Sequence, residues 1–408
     1  PFDKYFEKIA GFFDRVFSVE EELLLFSPEN NFWWKDNSED KLKSINHSLF
    51  EDVLKDNYET SFANPRYATE QLGEEFGPLL AAVYTDVRSA ISDIFDGEKL
   101  FITARLEVFI EIYNMFEEGL PKYEEVRNAF YWYLRDYSDT MFAHGIISGI
   151  VPEECYITKV IDECENWDDL RYLYRFRYYV SEDVIKTAKF INSLSQEDVD
   201  AIADTYVSGY RRGFEIANKD LSKKKTVQIR FCPGFERIVK RASEMFAELG
   251  LASTYIIMSK VNEQYHYDHR YDNGLYLDKG FVERRLEVVK TTYENYKKNA
   301  AEYAGPAVIE TFGEEPFTPE DKKECVKLND KQRKLHLNYI SKNRAIIENY
   351  MPHDEISFTI IAFPVPKIGE NFEEIFKETV RINTLDNDVY GKVQQTIIDE
   401  LDKCSYVR

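Results

Sequence analysis

Cysteine is scarce and unpatterned in this chain. Five cysteines stand in 408 residues (Cys155, Cys164, Cys232, Cys325 and Cys404), widely spaced and never arranged as C-x-x-C. That set argues against a disulfide framework or a cysteine-built zinc site and suits free, mostly buried thiols in a reducing compartment. Long apolar runs are lacking too. No stretch reaches the roughly 18 residues a membrane helix needs, and no basic segment leads into an apolar one at the start. Together these absences give a cytoplasmic expectation. Positive charge is in deficit: 52 Lys and Arg against 74 Asp and Glu leave a formal net charge of −22. Phosphate contact is largely electrostatic, so nucleic acid is disfavoured as a partner, and so is an anionic membrane surface. Several catalytic signatures are missing outright: G-x-x-x-x-G-K-[ST], G-x-G-x-x-G, H-E-x-x-H and G-x-S-x-G.

Aromatic side chains are plentiful, with 28 Tyr and 29 Phe inside a hydrophobic share of 44%. A chain of this length and composition can bury two or three cores, and disorder is not an option. Residues 1–220 read as an all-helical domain. Phe6, Ile9, Phe13, Phe17 and Leu24 fall on or near one stripe of an opening helix. Asn64-Pro65 starts a long helical segment that stops at Asp96-Gly97, and Gly77-Pro78 is expected to kink or divide it. Further helices are expected over about 100–118 and 122–138, then several shorter ones through Ala217.

The pattern changes after Asp220. Residues 221–408 read as an α/β domain with a mostly parallel sheet, so the fold class is α + α/β. Thr226–Phe231 alternates as a strand, Cys232-Pro233-Gly234 turns, a helix follows to Leu249, and Thr254–Met258 is the next strand. Strand, helix and strand in so short a span make a βαβ unit. Residues 280–304 read as a helix broken by Gly305-Pro306. Ala307–Phe312 reads as a strand, about 319–350 as mainly helix, and Ser357–Phe363 as a strand closed by Pro364-Val365-Pro366. Helices at 371–382 and 387–403 follow, the second capped by Asp386 or Asn387. The chain opens on Pro1 and closes on Ser405–Arg408, which resembles the first residues of another strand. Both ends give the expectation of a piece of a longer chain.

The densest polar cluster is Tyr265-His266-Tyr267-Asp268-His269-Arg270-Tyr271-Asp272-Asn273-Gly274. Two of the six histidines sit here with two carboxylates, so a metal site has to be weighed. The spacing fits poorly: His266 and His269 share a face only on a helix, the run of Tyr before Asn-Gly favours a loop, and Arg270 spoils a calcium loop. A structural loop is the better reading, and a substrate- or partner-facing loop the alternative. The turn at Gly234 could present backbone N–H groups to an anion at a helix N-terminus, although a plain tight turn is the better reading. His353-Asp354-Glu355 reads as a polar turn before a strand. The basic island Lys219, Lys223, Lys224, Lys225, Arg230, Arg237, Lys240 and Arg241 reads as a solvated face or one turned to an acidic surface.

Several strings belong together. They are Asn64-Pro65-Arg66-Tyr67-Ala68, Leu72–Gly77, Asp169–Tyr174, Ala203–Tyr206, Gly209–Phe214, Lys219–Val227, Gly234–Arg237, Asp268–Asp278, Phe358–Pro366 and Arg381–Asn383. Collectively the chain from about residue 60 onward resembles the extended bacterial members of the aminopeptidase T-type (thermophilic) metalloaminopeptidase family. The resemblance implies a cytoplasmic exopeptidase that removes N-terminal residues from peptides with two divalent metals (Zn, Co, Mn or Mg) held by Glu, His and Asp. It further implies that the metal ligands lie in a C-terminal domain beyond Arg408, that residues 221–404 wall one side of the cleft, and that a homodimer is an option. No catalytic or metal-ligating residue is carried over, and the chain by itself is expected to be inactive. His266, Asp268, His269 and Asp272 are the candidates for a segment facing the cleft, on polarity and position. A complete, non-catalytic protein- or peptide-binding scaffold is the alternative. A small-molecule enzyme working at the carboxyl ends of the parallel strands is a third reading.

Overall fold

The computed structural model describes residues 2–23, 25, 33–117, 119–384 and 387–406, with the side chains of residues 387 and 388 left aside. Among the described residues ten α-helices precede the first strand. They are α1 (Phe2–Leu23), α2 (Glu39–Phe50), α3 (Pro65–Val87), α4 (Ala90–Asp96), α5 (Lys99–Glu117), α6 (Tyr123–Asp136), α7 (Ala143–Ile147), α8 (Tyr156–Asp162), α9 (Glu182–Ser193) and α10 (Gln196–Ile216). The α/β region alternates: β1 (Thr226–Phe231), α11 (Glu236–Glu248), β2 (Ala252–Ile257), α12 (Glu263–Asp268), α13 (Lys279–Asn295), α14 (Lys297–Ala301), β3 (Tyr303–Phe312), α15 (Asp330–Tyr350), β4 (Thr359–Pro364), α16 (Phe372–Asn383) and α17 (Asn387–Leu401). An all-helical region followed by an α/β region is thus the observed fold class. Among the described residues no helix is long and apolar enough to cross a membrane.

Local chemistry sets the helix starts. Asn64 caps α3, accepting from Arg66 N at 3.1 Å with Pro65 just inside, and Ser181, Ser195 and Asp278 do the same for α9, α10 and α13. The expected break at Gly77-Pro78 falls instead at Gly73, where φ is +87° and the helical path is interrupted. A second helical run begins at Glu74 and holds Pro78 within it.

Among the described residues the four strands are all parallel, in the order β2-β1-β3-β4. One face of the sheet carries Val227, Ile229, Phe231, Ala307, Ile309, Ile361 and Phe363, all buried, against α10, α11 and α16. Gly305-Pro306, expected to end a helix, lies inside β3 instead. The pairing with β1 shifts register between Thr226 and Gln228, which gives the proline its place at an irregularity. At Gly305 a Cβ would stand 1.9 Å from the Ser357 carbonyl oxygen, so the strand approaches its neighbour there as only glycine allows. Residues 319–329, expected to be helical, are non-helical, and α15 begins at Asp330. Ser405 and Tyr406 form no strand; Val407, Arg408 and the proposed cap Asp386 lie outside the described residues.

A single apolar cluster runs from Tyr5 in α1 through the sheet to Phe376 in α16. The helical region and the sheet therefore share a core rather than meeting at a thin polar seam. The basic island explains part of that union. Arg237 Nη1 donates to Asn192 O and Leu194 O, both at 2.8 Å, closing the carboxyl end of α9. Lys240 Nζ donates to Asp162 O at 2.7 Å at the end of α8, where a cation also meets the helix dipole favourably. Lys219 Nζ reaches His353 O at 3.0 Å, and Lys224, almost fully buried, pairs with Glu355 at 3.1 Å. These cations thus hold other elements of the chain.

Candidate functional site at the junction of the helices and the sheet

The polar run that the sequence singles out is α12, a turn, and a short 3₁₀ turn over Asp272–Leu275, not a loop. Asn262 starts the helix by accepting from Gln264 N at 2.9 Å. Helical spacing then sends Asp268 one way and His269 another. Asp268 is fully enclosed. Its Oδ2 accepts from Lys322 Nζ at 2.8 Å and Tyr58 Oη at 2.7 Å; its Oδ1 accepts from Gln264 Nε2 at 2.7 Å and Cys325 Sγ at 3.5 Å. Lys322 also donates to Asn64 Oδ1 at 3.0 Å and sits 4.8 Å from the centre of the Tyr58 ring. Burial, then Asp268, raises the Tyr58 hydroxyl above its ordinary value, and the same causes push the Cys325 thiol up to about 12. Cys325 is an inert thiol here.

His269 faces the helical region. One ring nitrogen lies 2.7 Å from Asp272 Oδ2; the other lies 2.6 Å from the Ala63 carbonyl oxygen and 3.1 Å from Thr85 Oγ1. Both neighbours Asp272 and Ala63 are acceptors, so the ring fits its place best with a proton on each nitrogen. Burial pulls its pKa down, but the attraction of Asp272 and the two hydrogen bonds outweigh that and leave it raised. Neither Asp268 nor His269 is arranged as a general base or a metal ligand.

His266 turns elsewhere. Its ring packs against Tyr265 at 5.3 Å between centroids, and burial, then Lys260, lowers its pKa, so it is neutral at physiological pH. It lines a cavity of about 230 Å³ at the carboxyl end of β2, together with Arg88, Arg177, Tyr178, Ser259 and Tyr265. Ligands of open parallel sheets bind at this end of the strands. The structure therefore brings only His269 and Asp272 into direct contact: Asp268 and His269 hold the helical region through Tyr58, Ala63 and Thr85, Asp272 holds His269, and His266 alone of the four reaches this cavity wall. Arg88 and Arg177 on that wall do not stand out in the sequence, since their partners Asp52 and Asp96 lie 36 and 81 residues away.

The chain order switches direction between β1 and β3, and the turn after β1 closes there. Gly234 N donates to both oxygens of Glu236, at 3.1 and 2.9 Å, and Tyr178 Oη donates to the same carboxylate at 2.8 Å. The anion at this turn is supplied by the chain itself. Gly234 holds φ +98°, and a Cβ would meet Thr187 at 2.8 Å, so the turn needs glycine for packing. Burial pushes Glu236 up to about 7 against the pull of these hydrogen bonds.

No family model, no curated protein and no solved structure matches this chain. The two divalent metals implied by the aminopeptidase resemblance do not fit these side chains. Among the described residues no three His, Cys, Asp or Glu groups converge as a ligand set, and the lone pairs of Asp268 are already committed to Lys322, Tyr58 and Gln264.

Proposed function

We propose that this chain is the non-metal-binding front part of a dinuclear metal-dependent aminopeptidase, a cytoplasmic exopeptidase whose metal domain lies elsewhere in the protein. One observation carries the reading. Residues in several of the resembling strings make contacts between separate stretches of the chain: Asn64 with Lys322, Asp268 with Tyr58, and Lys219 with the turn before β4. Contacts of this kind are what a shared scaffold requires. The five cysteines are all free, in keeping with a reducing compartment. In this reading the cavity at the carboxyl end of β2, with His266 on its wall, is the part nearest the peptide substrate. The metals would polarise the scissile carbonyl and supply bound hydroxide from the other domain.

The test is a peptidase assay on residues 1–408 with a panel of aminoacyl-4-nitroanilides and added Zn²⁺, Co²⁺, Mn²⁺ or Mg²⁺. No cleavage is expected. Metal-dependent cleavage by this chain would place the ligands within it and end the proposal.

A second reading, a non-catalytic scaffold for a peptide or protein, is favoured by the uncovered apolar residues Phe358, Ile360, Val393 and Ile397 at the edge strand β4 and on α17. It predicts a native protein that binds a partner and hydrolyses nothing.

A further inference from the structure

A separate cavity of about 340 Å³ lies where the end of α4 meets the start of α8, with Trp33, Phe95, Asp96, Glu98, Tyr156 and Arg175 among its walls. Two of these side chains carry opposite charge, are almost fully enclosed, and keep polar atoms without a partner. Asp96 is 8% exposed; its Oδ2 accepts from Arg177, and its Oδ1 has no donor. Arg175 is 4% exposed; its Nη2 donates to Glu163 and its guanidinium lies 5.1 Å from the centre of the Trp34 ring, yet Nε and Nη1 have no acceptor. Among the described residues no ion pair joins Asp96 to Arg175. Tyr156, whose hydroxyl donates to the Arg175 carbonyl oxygen at 3.1 Å, feels both charges.

Folded proteins rarely leave buried donors and acceptors unpaired, so two such side chains of opposite charge on one cavity wall point to water or a ligand between them. The chemistry of the walls restricts what that occupant is. A simple anion would meet Asp96, Glu98, Glu153 and Glu154. A simple cation would meet Arg175 and Lys159. A dipolar molecule satisfies both ends, and the aromatic walls accept an apolar group. We propose that this cavity binds a free α-amino acid with an apolar side chain, its ammonium on Asp96 and Glu98, its carboxylate on Arg175, and its side chain against Trp33, Phe95 and Tyr156. Burial, opposed by Arg177, raises Asp96 to about 6, so at pH 7.5 it is the ionised acceptor an ammonium needs. The site involves no metal and does not rest on the aminopeptidase reading.

L-leucine and L-phenylalanine are titrated into residues 1–408 at pH 7.5, followed by tryptophan emission and calorimetry. Saturable one-to-one binding is expected for at least one of them. The matching amide, which lacks the carboxylate, and the N-acetyl form, which lacks the ammonium, are expected to bind at least tenfold more weakly. Asp96→Asn and Arg175→Met should each lose at least tenfold in affinity with circular dichroism unchanged. Should either fail to fold, Glu98→Gln, at a more open position, is expected to weaken binding severalfold. The proposal is overturned if neither amino acid binds, if the amide and acetyl forms bind as well as the parent, or if Glu98→Gln and the folded variants bind as the unaltered chain does.

Discussion

Lys322 Nζ lies 2.8 Å from Asp268 Oδ2 with neither side chain exposed, and the same ammonium reaches Asn64, the cap of α3, at 3.0 Å. One buried cation thus joins three stretches of chain. Removing one partner of such a pair strands the other charge, at a cost of about 3–5 kcal/mol. Lys322→Met is expected to lower the denaturant midpoint accordingly, and Asp268→Leu combined with Lys322→Met to recover part of the loss. Equal losses in the single and double variants would show that the pair is not the source of the effect.

His269 predicts a pH dependence. Its pKa is raised in the folded chain, chiefly by Asp272, which wins over burial. A group raised on folding stabilises fully below its unfolded value of about 6.5 and loses that contribution as pH rises through the folded value. Unfolding free energies measured from pH 6 to 9 should therefore fall less steeply in His269→Gln than in the unaltered chain. The imidazole resonance of His269 should also titrate above that of an exposed histidine; a lower midpoint would remove the argument.

Glu236 contributes in the same sense at lower pH. Its folded value of about 7 exceeds the ordinary 4.5, so its burial is uncharged and least costly below the unfolded value, and costs most above the folded one. The difference amounts to an order of about 3 kcal/mol. Glu236→Gln, which keeps an acceptor for Gly234 and Tyr178, should lack the decline in stability between pH 4.5 and 7 that Glu236 imposes. Parallel pH profiles for the two proteins would contradict this.

Arg237 supplies a third kind of test. Its guanidinium closes the end of α9 on Asn192 O and Leu194 O. Arg237→Met should cost about 1–3 kcal/mol by leaving those carbonyls short of a donor. Hydrogen exchange should quicken in the last turn of α9 before elsewhere; uniform exchange would mean that the contact is incidental.

Much of the architecture was legible because it is written locally. The alternation in Thr226–Phe231, the cap-and-proline pair Asn64-Pro65 and the stripe of α11 each need only a few neighbouring residues to declare themselves. Errors came where local and distant demands conflict. Gly305-Pro306 looks like a helix breaker, yet a register shift against β1 makes it part of a strand. The site was less legible than the fold. Tyr58 and Asp268 are 210 residues apart, and Asn64 and Lys322 are 258 apart. No spacing rule links such positions; only the docking of the helices on the sheet brings them together. Asp268, His269 and Asp272 stand out in the sequence as a polar cluster, while partners such as Tyr58, Lys322 and Ala63 do not.

The most direct test of the aminopeptidase reading is to capture the native protein from a source-cell lysate with antibody raised against this chain, then record its mass and its activity. A native mass well above 48.1 kDa is expected, with hydrolysis of aminoacyl-4-nitroanilides that a chelator abolishes and added divalent metal restores. A native protein of 48.1 kDa that cleaves none of them would contradict it and leave the binding scaffold as the better reading.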